Sequence, residues 1–135
     1  MKSRLFNHAS VATILLAVFW ASLFLATHLP LPSAGIGRYF SDKLLHFGAY
    51  TGLAFLLCWA IFSRRSFTIT TCVVVLVIVS AYATVDELLQ IPIAGRMAEF
   101  GDWAADVAGA VCGTLAFALL WAPEWGNRDS SLRSE

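Results

Sequence analysis

Four apolar stretches dominate this 135-residue chain, over about 9–29, 43–62, 67–89 and 102–121. Each is long enough to cross a hydrocarbon core about 30 Å thick, which takes roughly 20 helical residues. Backbone N–H and C=O groups immersed in hydrocarbon must be satisfied within the segment, so such stretches fold as helices. Composition agrees, since the chain is 59% hydrophobic and only 13% charged, with a mean hydropathy of +0.72. Pro30, Pro32, Gly35 and Gly37 punctuate the first connection, Ser63 to Ser66 the second, and Pro92, Gly95 and Gly101 the third. The expected fold is all-α: an integral membrane bundle of four antiparallel transmembrane helices. Its membrane domain spans 9–121, between an N-terminal segment 1–8 and a polar tail 122–135.

The first stretch follows Lys2 and Arg4 in the manner of a signal peptide, but its apolar run exceeds the usual signal core, so a retained helix is expected. Cytoplasmic loops carry the excess of Lys and Arg. With the N-terminus inside, that side holds Lys2, Arg4, Arg64, Arg65, Arg128 and Arg133, against Arg38, Lys43 and Arg96 outside. Both termini are therefore expected in the cytoplasm of a cell-membrane protein. The acids divide the other way: Asp42, Asp86, Glu87, Glu99, Asp102 and Asp106 fall outside, and Glu124, Asp129 and Glu135 inside.

The polar residues of three helices thus meet at one end of the bundle. Asp42, Lys43 and His46 enter the second helix there, Asp86, Glu87 and Gln90 leave the third, and Asp102 and Asp106 begin the fourth. Spacings of three and four put each set on one helical face. At 1.5 Å per residue, His46 and Asp106 lie about 6 Å deeper than Asp42 and Asp102, which predicts a shallow polar chamber. Lys43 near a helix N-terminus, and Asp86 and Glu87 near a C-terminus, each oppose the local dipole. Pairing offsets that cost, so Lys43 is expected to face Glu87 or Asp86 across the second and third helices. Gly48 with Gly52, and Gly109 with Gly113, form two small-residue seams through which the second and fourth helices are expected to pack.

Three segments carry a family resemblance: "SDKLLHFGAY" at 41–50, "DELLQ" at 86–90 and "AGRMAEFGDWAADVAGAVCG" at 94–113. Their order and spacing resemble the signatures of VanZ-like membrane proteins, over about 40–115. The resemblance implies that Asp42, Lys43, His46, Glu87, Gln90, Arg96 and Asp102 are the characteristic polar positions. It departs at Asp106, where the family usually has Asn. The family is named for a protein associated with resistance to the glycopeptide teicoplanin, which implies a bacterial envelope setting, and it brings no mechanism.

Each polar residue has a structural role to weigh against a functional one. Asp42 and Asp102 suit helix N-caps, Lys43 suits a snorkelling position, and Glu87 and Gln90 suit interhelical hydrogen bonds. An ionisable His46 inside a membrane is by default a functional candidate, and Arg96 suits bidentate capture of a phosphate or carboxylate.

Three functions follow. The first is binding of an anionic envelope component or lipophilic antibiotic by Lys43, His46, Glu87, Gln90, Arg96, Asp102 and Asp106. The second is an intramembrane hydrolase or transferase acting on a lipid-linked precursor, with His46, Glu87 and Asp106 as candidate proton carriers. The third is a structural partner in a membrane complex. No nucleic-acid partner and no cofactor are expected, with a divalent metal on His46 and the carboxylates as the alternative. Cys58, Cys72 and Cys112 are odd in number and dispersed, which supports neither disulfides nor a thiolate site. Trp59, Trp103, Trp121 and Trp125 read as aromatic-belt anchors, and Glu99 as a solvated loop charge.

Overall fold

The computed structural model describes residues 2–29, 37–94 and 97–132, with side chains over 8–29, 42–94 and 97–121. Arg96 lies outside the described residues. Four helices follow in order: α1 Lys2–His28, α2 Gly37–Phe62, α3 Ile69–Gln90 and α4 Phe100–Leu132. Each contains a span of 21 or 22 residues long and apolar enough to cross a membrane. Ile14, Val18, Leu25, Leu45, Val77 and Leu119 are each more than half exposed on the outside of the bundle. Hydrocarbon is the solvent in which such a surface costs nothing.

Local chemistry sets the helix ends. The Thr68 hydroxyl accepts the Thr71 N–H at 3.3 Å, and the Thr71 hydroxyl accepts the Thr68 N–H at 3.2 Å, a reciprocal cap that starts α3. Pro92, which lacks an N–H, follows the end of α3. At the turn between α2 and α3, Arg64 donates to Ala60 O at 2.9 Å, and across to the Thr13 hydroxyl at 2.5 Å and Ala9 O at 3.2 Å. That guanidinium ties the start of α1 to the end of α2.

The largest interface joins α2 to α4. A methyl group on Gly109 would fall on the Phe47 carbonyl oxygen, and one on Gly113 on that of Thr51. Absence of a side chain at these two positions is therefore what lets the backbones approach. The expected partner seam on α2 is not used. Gly48 faces open space and Gly52 meets the Phe19 ring of α1, so the surface that receives α4 is the backbone of Phe47 and Thr51. Away from the polar end, Phe55, Phe62, Phe67, Phe117 and Trp121 fill the space around this contact, with Phe117 stacked on Trp121 at 4.7 Å between centroids.

One expected helix start moves, and one helix runs on past its apolar span, which ends at Trp121. Helix α2 begins at Gly37, so Asp42 sits inside it and does not cap it. Helix α4 continues to Leu132, so most of the segment read as a polar tail has helical backbone.

The seam makes a simple prediction. Gly109→Ala and Gly113→Ala should each destabilise the protein by about 1–3 kcal/mol, as overpacking of a tight core does. Gly48→Ala should stay within about 0.5 kcal/mol. Thermal unfolding in detergent would show it, and equal tolerance at all three positions would remove the glycine seam as the reason α2 meets α4.

Candidate functional site

The ends of α2, α3 and α4 that carry the sequence motifs come together, and α1 joins them through its last turn. His46, Asp86, Glu87, Gln90, Asp102 and Asp106 are all buried, Asp86 and Asp106 completely. Carboxylates are rarely buried without partners, because removing their hydration is expensive. Their partners therefore define the site.

Asp86 is satisfied by neutral donors. Thr27 of α1 donates to its Oδ1 at 3.0 Å, the Tyr82 hydroxyl to the same oxygen at 3.3 Å, and Gln90 Nε2 to Oδ2 at 3.2 Å. His28 Nδ1 lies 3.7 Å away. Gln90 thus serves Asp86 within α3, four residues away, and among the described residues it makes no hydrogen bond to α2.

Lys43 goes elsewhere than expected. Its Nζ donates to Asp102 Oδ1 at 2.6 Å and to Glu99 Oε2 at 3.3 Å, joining α2 to α4 rather than to α3. Helix dipoles point to Asp86 and Glu87, whereas Asp102, in the first turn of α4, already suits that helix N-terminus and so needs no cation on dipole grounds. It needs one because it is buried. Glu99, read as a solvated loop charge, is a partner of this ion pair. Asp102 follows Phe100 into the helix, so it is not the cap, and Glu99 O accepts the Asp102 N–H at 3.0 Å.

His46 and Asp106 form the deepest pair. The His46 Nδ1 lies 2.9 Å from Asp106 Oδ1, and only the α2–α4 seam one turn further in allows that approach. Glu87 Oε2 accepts the backbone N–H of Glu99 at 3.0 Å. His46, Glu87 and Asp106 each bring a ligand-type atom within 4.8 Å of the others, and Asp42, His46 and Asp102 do the same on the shallower side.

Clefts flank this cluster on two sides. One of about 230 Å³ lies between α1 and α2, with Leu23, Ala26, Leu45 and Ala49 as apolar wall and Thr27, Asp42 and His46 as polar end. A second, of about 370 Å³, lies between α3 and α4 and includes Glu87, Glu99 and Trp103, whose indole N–H donates to Thr84 at 3.1 Å. A larger groove of about 750 Å³ at the opposite end of the bundle contains Arg64 and Arg65. It is the more basic, but it holds none of the motif residues.

The site also contains residues that the sequence reading passed over. Tyr82 precedes Asp86 by four residues and so shares its helical face, a signal that was available. His28 closes the first apolar stretch at the same end as the other polar groups. Thr27 is an ordinary threonine in an apolar helix, and nothing in its neighbourhood distinguishes it.

Four long apolar helices around a buried polar cluster define a multi-pass membrane protein with a site at one end of its bundle. A family model described as VanZ/LLP1 matches residues 3–121, and the chain belongs to that family. Among curated proteins and among solved structures, none matches it.

Lys43 and Asp102 give a test of the geometry. Their side chains are 22% and 9% exposed, between a surface pair and a buried one. A double-mutant cycle of Lys43→Met with Asp102→Asn should give a coupling of about 1–2 kcal/mol in detergent unfolding. The corresponding cycle with Glu87→Gln should give less, and the reverse order would return the lysine to α3.

Proposed function

We propose that this member of the VanZ/LLP1 family binds an amphiphilic envelope component, a lipid, lipid-linked intermediate or lipophilic antibiotic, by its head group at the polar end of the bundle. The cleft between α1 and α2 carries this reading, because apolar walls at Leu23, Ala26, Leu45 and Ala49 lead to Thr27, Asp42 and His46. Apolar lining with a few convergent polar groups is the usual form of a small-molecule site.

The described charges amend the expectation of a purely anionic ligand. Asp42, Asp86, Glu87, Glu99, Asp102 and Asp106 gather at this end, and Lys43 is engaged by two of them. Such a site favours a head group rich in hydrogen-bond donors, such as hydroxyls, amides or an ammonium. Arg96 keeps its sequence-based role as the candidate contact for a phosphate or carboxylate. The excess of Lys and Arg at the other end supports an outer-leaflet position for the cleft.

A second reading, an intramembrane hydrolase or transferase, is favoured by one observation. The His46–Asp106 hydrogen bond is the orienting half of an acid–base pair. Among the described residues no serine, threonine or cysteine side chain is hydrogen-bonded to His46, so the nucleophilic half would have to come from the substrate or water.

Purified protein should carry one class of amphiphile in excess over bulk lipid, read by mass spectrometry of extracts. Ala49→Trp should fill the cleft while leaving every polar side chain of the cluster in the sequence, and lower that enrichment about tenfold, equivalent to about 1.4 kcal/mol. An unchanged lipid profile in the Trp variant would sink the cleft as the binding site. Cysteine accessibility should place 91–99 outside and 63–66 inside, and the opposite labelling would move the site to the inner leaflet.

A further inference from the structure

We infer that His46, Glu87 and Asp106 form a binding site for a divalent first-row transition-metal ion that joins α2, α3 and α4. The three residues come from three different helices. They are 6%, 6% and 0% exposed, and each offers a ligand atom within 4.8 Å of the others.

The buried oxygens without partners supply the independent observation. Asp106 spends Oδ1 on His46, and Glu87 spends Oε2 on the Glu99 N–H. The other oxygen of each, Asp106 Oδ2 and Glu87 Oε1, is buried and has no hydrogen-bond partner among the described residues. Asp86, just as deeply buried, provides the contrast. Both its oxygens take neutral donors, from Thr27, Tyr82 and Gln90. The fold can therefore satisfy a buried acid with hydroxyl and amide groups, and at Asp106 and Glu87, the two acids that cluster with His46, it leaves one oxygen of each without a partner among the described residues. An unsatisfied buried polar atom in a native fold calls for an explanation such as an ion, and two carboxylates with a histidine are a metal-ligand set.

Lys43 is placed on a different pair. Its Nζ sits 2.6 Å from Asp102 and 3.3 Å from Glu99. The shallower set, Asp42, His46 and Asp102, shares the imidazole but includes the acid that Lys43 holds. The deeper set is thus the better site.

One nitrogen and two carboxylates suit Zn²⁺ or Mn²⁺ better than Mg²⁺ or Ca²⁺, which prefer all-oxygen shells with more ligands. Neighbouring ligands on one tetrahedral ion at about 2.1 Å lie about 3.4 Å apart, so atoms within 4.8 Å of one another need to close by no more than about 1.4 Å. Three protein ligands leave coordination positions open for water or for an anionic group of a bound molecule. An ion here would add a positive centre for phosphate among the described acids at this end of the bundle. The metal site does not depend on the head-group reading above, because loading is measured with no ligand added.

The experiment uses the full chain in detergent, carried on a tag without histidines, stripped with chelator and reloaded separately with Zn²⁺, Mn²⁺ or Co²⁺. Elemental analysis after desalting should find about one ion per chain for at least one metal. Glu87→Gln and Asp106→Asn, both close to isosteric, should weaken loading by at least about tenfold. A variant with serine at Cys58, Cys72 and Cys112 should load normally. Co²⁺ absorption in the wild type gives a readout that needs no variant, with d–d bands of nitrogen and oxygen ligation expected and no thiolate charge-transfer band. A wild type that stays empty with every metal, loading unchanged in both carboxamide variants, loading lost in the serine variant, or a thiolate band would each overturn the site.

Discussion

Backbone contact between α2 and α4 governs how the polar groups of these two helices meet. With hydrogen at Gly109 and Gly113, the fourth helix lies against the carbonyls of Phe47 and Thr51. One turn toward the polar end, that separation puts Asp106 on His46, and one turn further puts Asp102 on Lys43. Side chains at the glycines would hold the helices apart and lengthen both contacts together. In a bilayer the lipid tails are as apolar as leucine, so helix association relies on close packing and interhelical polar contacts. Here the two sources act in series along one interface.

The buried acids are matched in three different ways, and the differences bear on chemistry. Asp86 receives neutral hydrogen bonds, two of them from its own helix and one from α1. Asp102 receives a lysine at the edge of the site, with Glu99 sharing it. Asp106 and Glu87 receive an imidazole and a backbone N–H, among the described residues each at one oxygen only. A purely structural polar lock would gain most from full satisfaction, as at Asp86, because a half-satisfied buried network is worse than an apolar one. Among the described buried acids, incomplete matching falls on Glu87 and Asp106, where three helices meet, and that is where function is best sought.

How much of this was legible without coordinates differs by level. Hydropathy alone placed four helices, since backbone hydrogen bonding in hydrocarbon leaves little choice of secondary structure. Periods of three and four placed His46, Glu87 and Asp106 on faces able to converge, and they do meet. Pairing was harder, because it depends on lateral packing that no single helix encodes. Dipoles worth about 0.3–1 kcal/mol point Lys43 to α3, while burial of Asp102, a larger effect, draws it to α4. Gly48 looked like half of a seam, yet a Gly-x-x-x-Gly spacing does not say which neighbour it meets. Asp42 suits a cap only where the polar motif starts the helix, whereas α2 begins at Gly37.

The first helix stands apart from this architecture in a way that suits a binding site. Only 11% of its membrane span is buried, against 33% for those of α2 and α4. Near its beginning it is held by Arg64 through Ala9 and Thr13, and at its other end by Thr27 on Asp86. Between these ties it meets α2 through contacts such as Phe19 on Gly52 and encloses the cleft that ends at His46. A helix with few buried contacts is the element that opens at least cost. The α2–α4 pair would meanwhile keep His46 and Asp106 fixed. Access to the polar cluster from the bilayer is thus separable from the geometry of the cluster itself, because different interfaces set the two.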